Sequence, residues 1–152
     1  MAKTLTNAAD LERIRERIAA LSPDSCRSWG KMSVAGMLCH LHDSYQLALG
    51  ERLVARVRLP VPRGAIKYLA LRTPLPWAKG MKTPREVRQG AGGTRPGIFA
   101  DDRARLLDIV ERFSAHPSLE QAAHPFFGTM TKDDWLRWGY LHADHHLRQF
   151  GA

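Results

Sequence analysis

The sequence lacks the features that mark several classes of protein. Its two cysteines, Cys26 and Cys39, are too few for a disulfide framework and form no zinc-finger pattern, so a bound transition metal would have to be held by histidine. No apolar run is long enough to span a bilayer, and the charged N-terminal stretch has no apolar segment of the signal-peptide kind. We therefore expect a soluble cytoplasmic protein without membrane association.

Acidic residues are scarce as well. The 152 residues include 15 Asp and Glu against 23 Lys and Arg, and residues 51–90 hold ten basic and two acidic residues. This basic segment is interpreted either as a solvated loop or as a site for an anionic compound. Nucleic acid is not the expected partner, because no helix-turn-helix and no aromatic–basic pattern accompanies the charge.

Strand patterns are also missing, since no segment combines alternating apolar and polar residues with turn chemistry. Apolar residues instead recur at helical spacing in four long segments, at 9–21, 33–49, about 101–116 and 132–149. A fifth, short segment of this kind covers residues 65–71. Residues 73–97, with four prolines and five glycines, predict a long irregular connection. We predict one domain over residues 1–152 with an all-α fold, a four-helix bundle.

Three histidines, His142, His145 and His146, lie within five residues of the last predicted helix. On a helical wheel His146 lies at the edge of the apolar face with His142 next to it, and His145 lies beside the charged face. Because His142 and His146 are one turn apart, their ring nitrogens can reach one metal ion. Trp138 lies on the stripe of His142, which predicts an aromatic pocket wall.

Such a pair needs a third ligand, and the helix predicted over residues 33–49 offers His40 and His42. Both lie about equally far from its apolar face, on opposite sides, so periodicity does not choose between them. His40 has Gly36 and Ser44 one turn away, which predicts room for a cofactor or substrate. His42 has bulkier neighbours, as an ordinary boundary histidine does.

The stretches MLCHL, which contains His40, and HADHHLRQ are similar to motifs of the DinB/YfiT-like superfamily of metal-dependent enzymes. The second motif reads His142-x-x-x-His146-x-x-Gln149. The longer stretch HPFFGTMTKDDWLRWGYLHADHHLRQFG resembles one branch of that superfamily, a domain family of unknown function in which an HP-x-FG stretch precedes the histidine helix. The resemblance covers about residues 33–152, and its last third is the most specific part.

The resemblance implies a four-helix bundle of the DinB/YfiT type with a divalent metal at one end, held by His40, His142 and His146. It thereby selects His40 over His42. Zinc and nickel are the expected metals, because both accept imidazole nitrogen. A three-histidine set leaves a position open for water or substrate, which is typical of a catalytic site.

Characterised members of the superfamily include thiol-dependent transferases and isomerases, so the resemblance implies a thiol-dependent transferase or a hydrolase. Gln149 would orient a ligand imidazole, and the basic segment would hold an anionic substrate or a low-molecular-weight thiol. His124, within HPFFG, is expected to pin the loop before the last helix and to lie near the pocket. A homodimer is expected, since the superfamily often dimerises.

Two other functions stay open from the sequence. The chain could be a non-catalytic metal or small-ligand module with the same three ligands, or an anion or nucleic-acid binder in which the histidines are structural. Cys39 points away from His40 on the helix, so it is not an expected ligand. Asp43, three residues after His40, is interpreted either as orienting an imidazole or as solvated, and the solvated interpretation is favoured.

Overall fold

The computed structural model describes residues 2–152, and about half of them lie in five α-helices. In chain order these are α1 (Ala8–Ala19), α2 (Val34–Ala48), α3 (Arg63–Arg72), α4 (Phe99–Ala115) and α5 (Lys132–Gln149). A 3₁₀ turn, Arg85–Val87, and an antiparallel hairpin of β1 (Ala123–His124) and β2 (Gly128–Thr129) complete the regular structure. The prediction of a mostly helical protein is confirmed. The hairpin was not predicted, because two residues per strand are too few to show alternation.

Side-chain caps define where the histidine-bearing helices begin. Ser33 Oγ accepts a hydrogen bond from the N–H of Gly36 at 3.0 Å, at the start of α2. Thr131 and Asp134 form a reciprocal capping box at the start of α5. Each cap supplies an acceptor to an N–H that the first helical turn leaves unpaired. The helical phase of both segments is therefore well defined.

Four helices pack in a ring around the apolar core. Helix α2 contacts α4, α4 contacts α1, α1 contacts α5, and α5 contacts α2, while α3 packs against α5. The core holds large, fully buried side chains, among them Trp135, Tyr45, Tyr140 and Phe113. No helix within residues 2–152 is long and apolar enough to cross a membrane. That this arrangement is a bundle of the DinB/YfiT type stays a prediction.

The connection between α3 and α4 is irregular, as predicted, but its second half is held against α2. Val87 is only 4% exposed, and its carbonyl oxygen lies 2.8 Å from Nδ1 of His40. The Gln89 side chain bonds both the N–H and the hydroxyl of Ser33. The connection therefore covers the part of α2 that carries His40.

Asp43 on α2 is completely buried, so the expectation of a solvated carboxylate is wrong. It accepts hydrogen bonds from the Thr94 N–H at 2.7 Å and the Thr94 hydroxyl at 2.6 Å, and it lies 2.9 Å from the Arg52 guanidinium. Burial alone would raise the pKa of Asp43, but the adjacent His42 ring, the Thr94 hydrogen bonds and the Arg52 charge outweigh it and lower that pKa. This carboxylate joins the end of the long connection to α2.

The basic segment is solvated only in part. Four of its ten basic residues bind acceptors elsewhere in the fold, namely Arg52, Arg63, Lys67 and Arg72. The last two both bind the buried Asp134, at 3.1 Å and 2.6 Å. The interpretation as a solvated loop is wrong for these four side chains, whose charge contributes to the tertiary structure.

Replacing Asp43 by alanine should lower the free energy of unfolding by about 3 kcal/mol, because the buried donors of Thr94 and the Arg52 charge lose their acceptor. A carboxyl with a lowered pKa stabilises the fold above its unfolded pKa, and this contribution is lost as the pH falls through the folded value. Urea denaturation should therefore show the difference shrinking below pH 3.8, the ordinary value for Asp. Asp24→Ala, at an exposed turn, is the matched control, and equal losses in both variants would contradict the assignment.

Candidate metal centre

Helices α2 and α5 bring three histidines together. Nε2 of His40 lies 3.2 Å from Nε2 of His142. The ring centroid of His146 is 4.8 Å from that of His40 and 5.0 Å from that of His142. One nitrogen from each ring lies within 4.8 Å of the other two, so the cluster could hold a metal ion.

One of the nitrogen separations fits a shared ion. Two nitrogens that bind one ion at about 2.0–2.1 Å in a tetrahedral arrangement lie roughly 3.4 Å apart, and they cannot be more than about 4.2 Å apart. The separation of 3.2 Å between His40 and His142 is close to the tetrahedral value. The largest separation in the set, up to 4.8 Å, exceeds this limit, so a shared ion requires the rings to move closer together than they are here.

The proton of neutral His40 lies on Nδ1. That atom is 2.8 Å from the carbonyl oxygen of Val87, and a carbonyl can only accept. Nε2 of His40 therefore has a free lone pair, and it is this atom that faces His142. The Ser44 hydroxyl donates to the backbone carbonyl of His40 at 2.7 Å and not to its imidazole ring.

His146 is oriented in the same way by Gln149. The Gln149 amide nitrogen donates to the carbonyl oxygen of Trp29 at 2.8 Å, which fixes the orientation of the amide. Its oxygen then accepts from Nδ1 of His146 at 3.0 Å. Nε2 of His146 is thus the atom with an available lone pair, and Gln149 lies where the resemblance implies an orienting residue.

All three rings are neutral near physiological pH. Burial lowers the pKa of His40 below its ordinary value of 6.5, and burial together with neighbouring imidazoles lowers the pKa of His142 and of His146 well below it. Nδ1 of His142 is buried without a hydrogen-bond partner within the described residues. Neutral imidazole is the form that binds metals, and a cation here would replace the proton that the two Nε2 atoms of His40 and His142, 3.2 Å apart, can share in a hydrogen bond. The residues present therefore fit a divalent metal.

Two nearby histidines do not join the cluster. His42 is half-buried, with Nδ1 3.9 Å from the Asp43 carboxylate. His145 is half-buried between the rings of Trp29 and Trp77, at centroid distances of 5.9 Å and 6.1 Å. The wheel placed His145 outside the pair formed by its neighbours, and the structure agrees. It brings His40, and not His42, to the cluster.

His124 pins the hairpin before α5 and also lines the adjacent pocket. Its Nδ1 accepts from the N–H groups of Phe126 and Phe127, both at 3.2 Å, and its ring stacks on Phe127 at 4.2 Å. Burial lowers the pKa of His124 to about 3, so the ring is neutral. Because Nδ1 is an acceptor here, the proton lies on Nε2, and this N–H is the group that His124 can offer to a bound molecule.

A pocket of about 1120 Å³ opens beside the cluster. The three clustered histidines line it, together with His124, His145 and Gln149. Trp138, the predicted aromatic wall, has its ring 4.9 Å from that of His142, and Trp77 adds a second ring at 5.9 Å. The cluster thus faces a space large enough for a small organic molecule.

Sequence reasoning missed the part that the long connection plays in the site. A Cβ on Gly36 would lie 2.1 Å from the amide oxygen of Gln89, so the room that the sequence assigned to a cofactor or substrate is filled by this side chain. Val87 was missed as well, because it orients His40 through a backbone carbonyl. Every residue has such a carbonyl, so nothing in the sequence marks this one.

A family described as a protein of unknown function, DUF1569, matches residues 2–152. The chain belongs to the DUF1569 family. No curated protein and no solved structure matches it. The description of DUF1569 gives no activity, so the function of this DUF1569 chain has to be inferred from its own site.

Replacing His124 by alanine should lower the free energy of unfolding by about 2 kcal/mol, because two backbone N–H groups lose their acceptor. His124→Asn should recover part of the loss, since its side-chain oxygen can accept near the position of Nδ1. Urea denaturation of both variants checks this. If the two substitutions proved equally destabilising, the hydrogen bonds would not be the source of the effect.

Proposed function

We propose that this DUF1569 chain is a metal-dependent enzyme of the DinB/YfiT-like type, with His40, His142 and His146 as the ligands of a divalent ion. The observation that carries the proposal is the convergence of three neutral imidazoles, one buried and two partly buried, at the wall of one pocket. Zinc or nickel is the proposed ion, because an all-imidazole set suits these metals better than it suits magnesium or calcium.

The hydrogen bonds around the cluster support a metal site over a structural one. A buried structural histidine normally has partners for its polar atoms within the protein. Here Val87 and Gln149 hold the outer nitrogens of two rings, and the inner nitrogens have only one another. An acceptor on the outer nitrogen and a free inner lone pair are what orient an imidazole toward a metal.

The proposed chemistry is Lewis-acid catalysis at a position left open by three protein ligands. A divalent metal bound there lowers the pKa of a thiol or of water and so supplies a nucleophile at neutral pH. The chain itself orients the ligands and shapes the space around them. Trp77 and Trp138 cover one side of the cluster, and His124 offers its Nε2–H to an acceptor atom of the substrate.

The pocket favours thiol transfer over hydrolysis. Within the described residues its lining contains no Asp or Glu. Activation of water commonly uses a carboxylate as general base, and this pocket would have to do without one. A thiol loses its proton to solvent once its pKa is lowered, and the protein then needs only to hold the thiolate and the electrophile together. We therefore propose a thiol-dependent transferase.

Elemental analysis of untagged protein, with the histidines replaced one at a time, tests the metal site. Wild type should carry about one equivalent of zinc or nickel, and His40→Ala, His142→Ala and His146→Ala should each lose it, because two imidazoles bind a metal far more weakly than three. His42→Ala and His145→Ala are the matched controls and should retain the metal.

A wild-type protein that contains no metal, and takes up neither zinc nor nickel on titration, would overturn the metal site and the enzyme with it. Metal lost equally from all five variants would show that the histidines act through the fold. If metal is bound with no position that exchanges with water or an added thiol, the non-catalytic module is the better description.

Replacing Gln149 by leucine should weaken metal binding by about 10–100-fold, because His146 loses the acceptor that orients it. The binding constant can be measured by competition with a chromophoric chelator. Gln149→Glu keeps the acceptor for His146 but loses the donor to the Trp29 carbonyl, so its affinity should lie between those of the wild type and the leucine variant. Unchanged affinity in the leucine variant would show that packing alone orients the ring.

A further inference from the structure

The pocket beside the histidine cluster has an apolar wall that is open to solvent. Leu69, Leu75 and Met81 line it, although they are 53%, 63% and 53% exposed. Ile66 and Phe126 extend the same lining. Exposed apolar side chains gathered on one concave surface are typical of a site that binds an apolar ligand.

The charged side chains of the pocket are all basic. Lys31, Lys82 and Arg88 line it, and within residues 2–152 no acidic side chain does. None of the three forms an ion pair with another described side chain. Arg52 and Lys67, from the same basic segment, are paired with buried carboxylates. The pocket cations are therefore available to an anion from outside the protein.

Two of these cations are sequence neighbours of residues that contact the histidine cluster or its support. Arg88 directly follows Val87, whose carbonyl binds His40. Lys31 directly follows Gly30, where a Cβ would lie 2.7 Å from the amide nitrogen of Gln149. The exposed apolar side chains come from α3 and the connection after it, and that connection also carries Lys82 and Arg88. Lys31, the third cation, comes from the segment before α2.

We propose that the pocket binds an organic anion with a large apolar body. The anionic end would face the cations beside the histidines, and the apolar body would lie against Leu69, Leu75 and Met81. A volume of about 1120 Å³ leaves room for such a body, because most small-molecule pockets measure about 300–1,000 Å³. The inference rests on the proposed function in taking this pocket as the substrate site, and it names the substrate class.

Isothermal titration of metal-free protein, kept in a chelator, measures ligand binding separately from metal binding. The probes are octanoate, decanoate and dodecanoate, with acetate as the short anion and decanol as the uncharged analogue. Affinity should rise roughly fourfold for each added methylene, since each buried methylene contributes a fixed increment. Decanol should bind about fivefold more weakly than decanoate, because it lacks the charge that meets exposed cations. Anilinonaphthalene sulfonate shows whether a ring system is bound as well as an acyl chain.

Two double variants separate the two contributions. Lys31→Ala with Arg88→Ala should weaken dodecanoate about fivefold and leave decanol unchanged. Leu75→Gln with Met81→Gln should weaken both probes about tenfold, because apolar area is lost. Arg13→Ala and Leu53→Gln alter exposed residues outside the pocket lining and should change neither affinity.

The proposal would be overturned if affinity did not depend on the acyl chain length of the carboxylate, or if it were unchanged in both double variants. Failure here and failure of the proposed function are distinguishable. Anion binding by a protein that takes up no metal would uphold the substrate class and defeat the metal site. Metal binding without anion binding would uphold the metal site and defeat the substrate class.

Discussion

Three imidazole rings packed against one another are the constraint on which the rest of the site depends. A buried ring that stays neutral has one N–H to donate, and leaving that donor unpaired costs on the order of 1–3 kcal/mol. His40 meets the requirement with the Val87 carbonyl and His146 with the Gln149 amide. Each of these partners is positioned by another segment of the chain. Val87 belongs to the long connection, and Gln149 is held by the loop that carries Trp29.

The long connection is therefore part of the site and not merely a link between helices. Its second half is attached to α2 at three points, through the Val87 carbonyl, the Gln89 side chain and the Asp43–Thr94 hydrogen bonds. Gly36 permits the middle attachment, because any side chain there would occupy the position of Gln89. Stability and site geometry are coupled through these contacts, and loosening the connection removes the acceptor that orients His40.

The basic segment divides into two groups with different roles. Side chains such as Arg52 and Lys67 neutralise buried carboxylates and stabilise the fold. Lys82 and Arg88 line the pocket without an acidic partner in the described chain. A net charge of +8 is therefore a poor guide to a partner by itself, because part of it is used inside the protein. What the pocket offers is a small group of cations beside an apolar wall.

Sequence periodicity by itself determined the helices and the shared face of His142 and His146, because these depend on residues close together in the chain. Periodicity left His40 and His42 equally far from the apolar face of the helix, and the tertiary structure brings His40 to the cluster. It also decided that Asp43 is buried, since its partner Thr94 lies 51 residues away. The carbonyl that orients His40 is a backbone group common to all residues, and only the path of the folded chain brings that of Val87 to the ring.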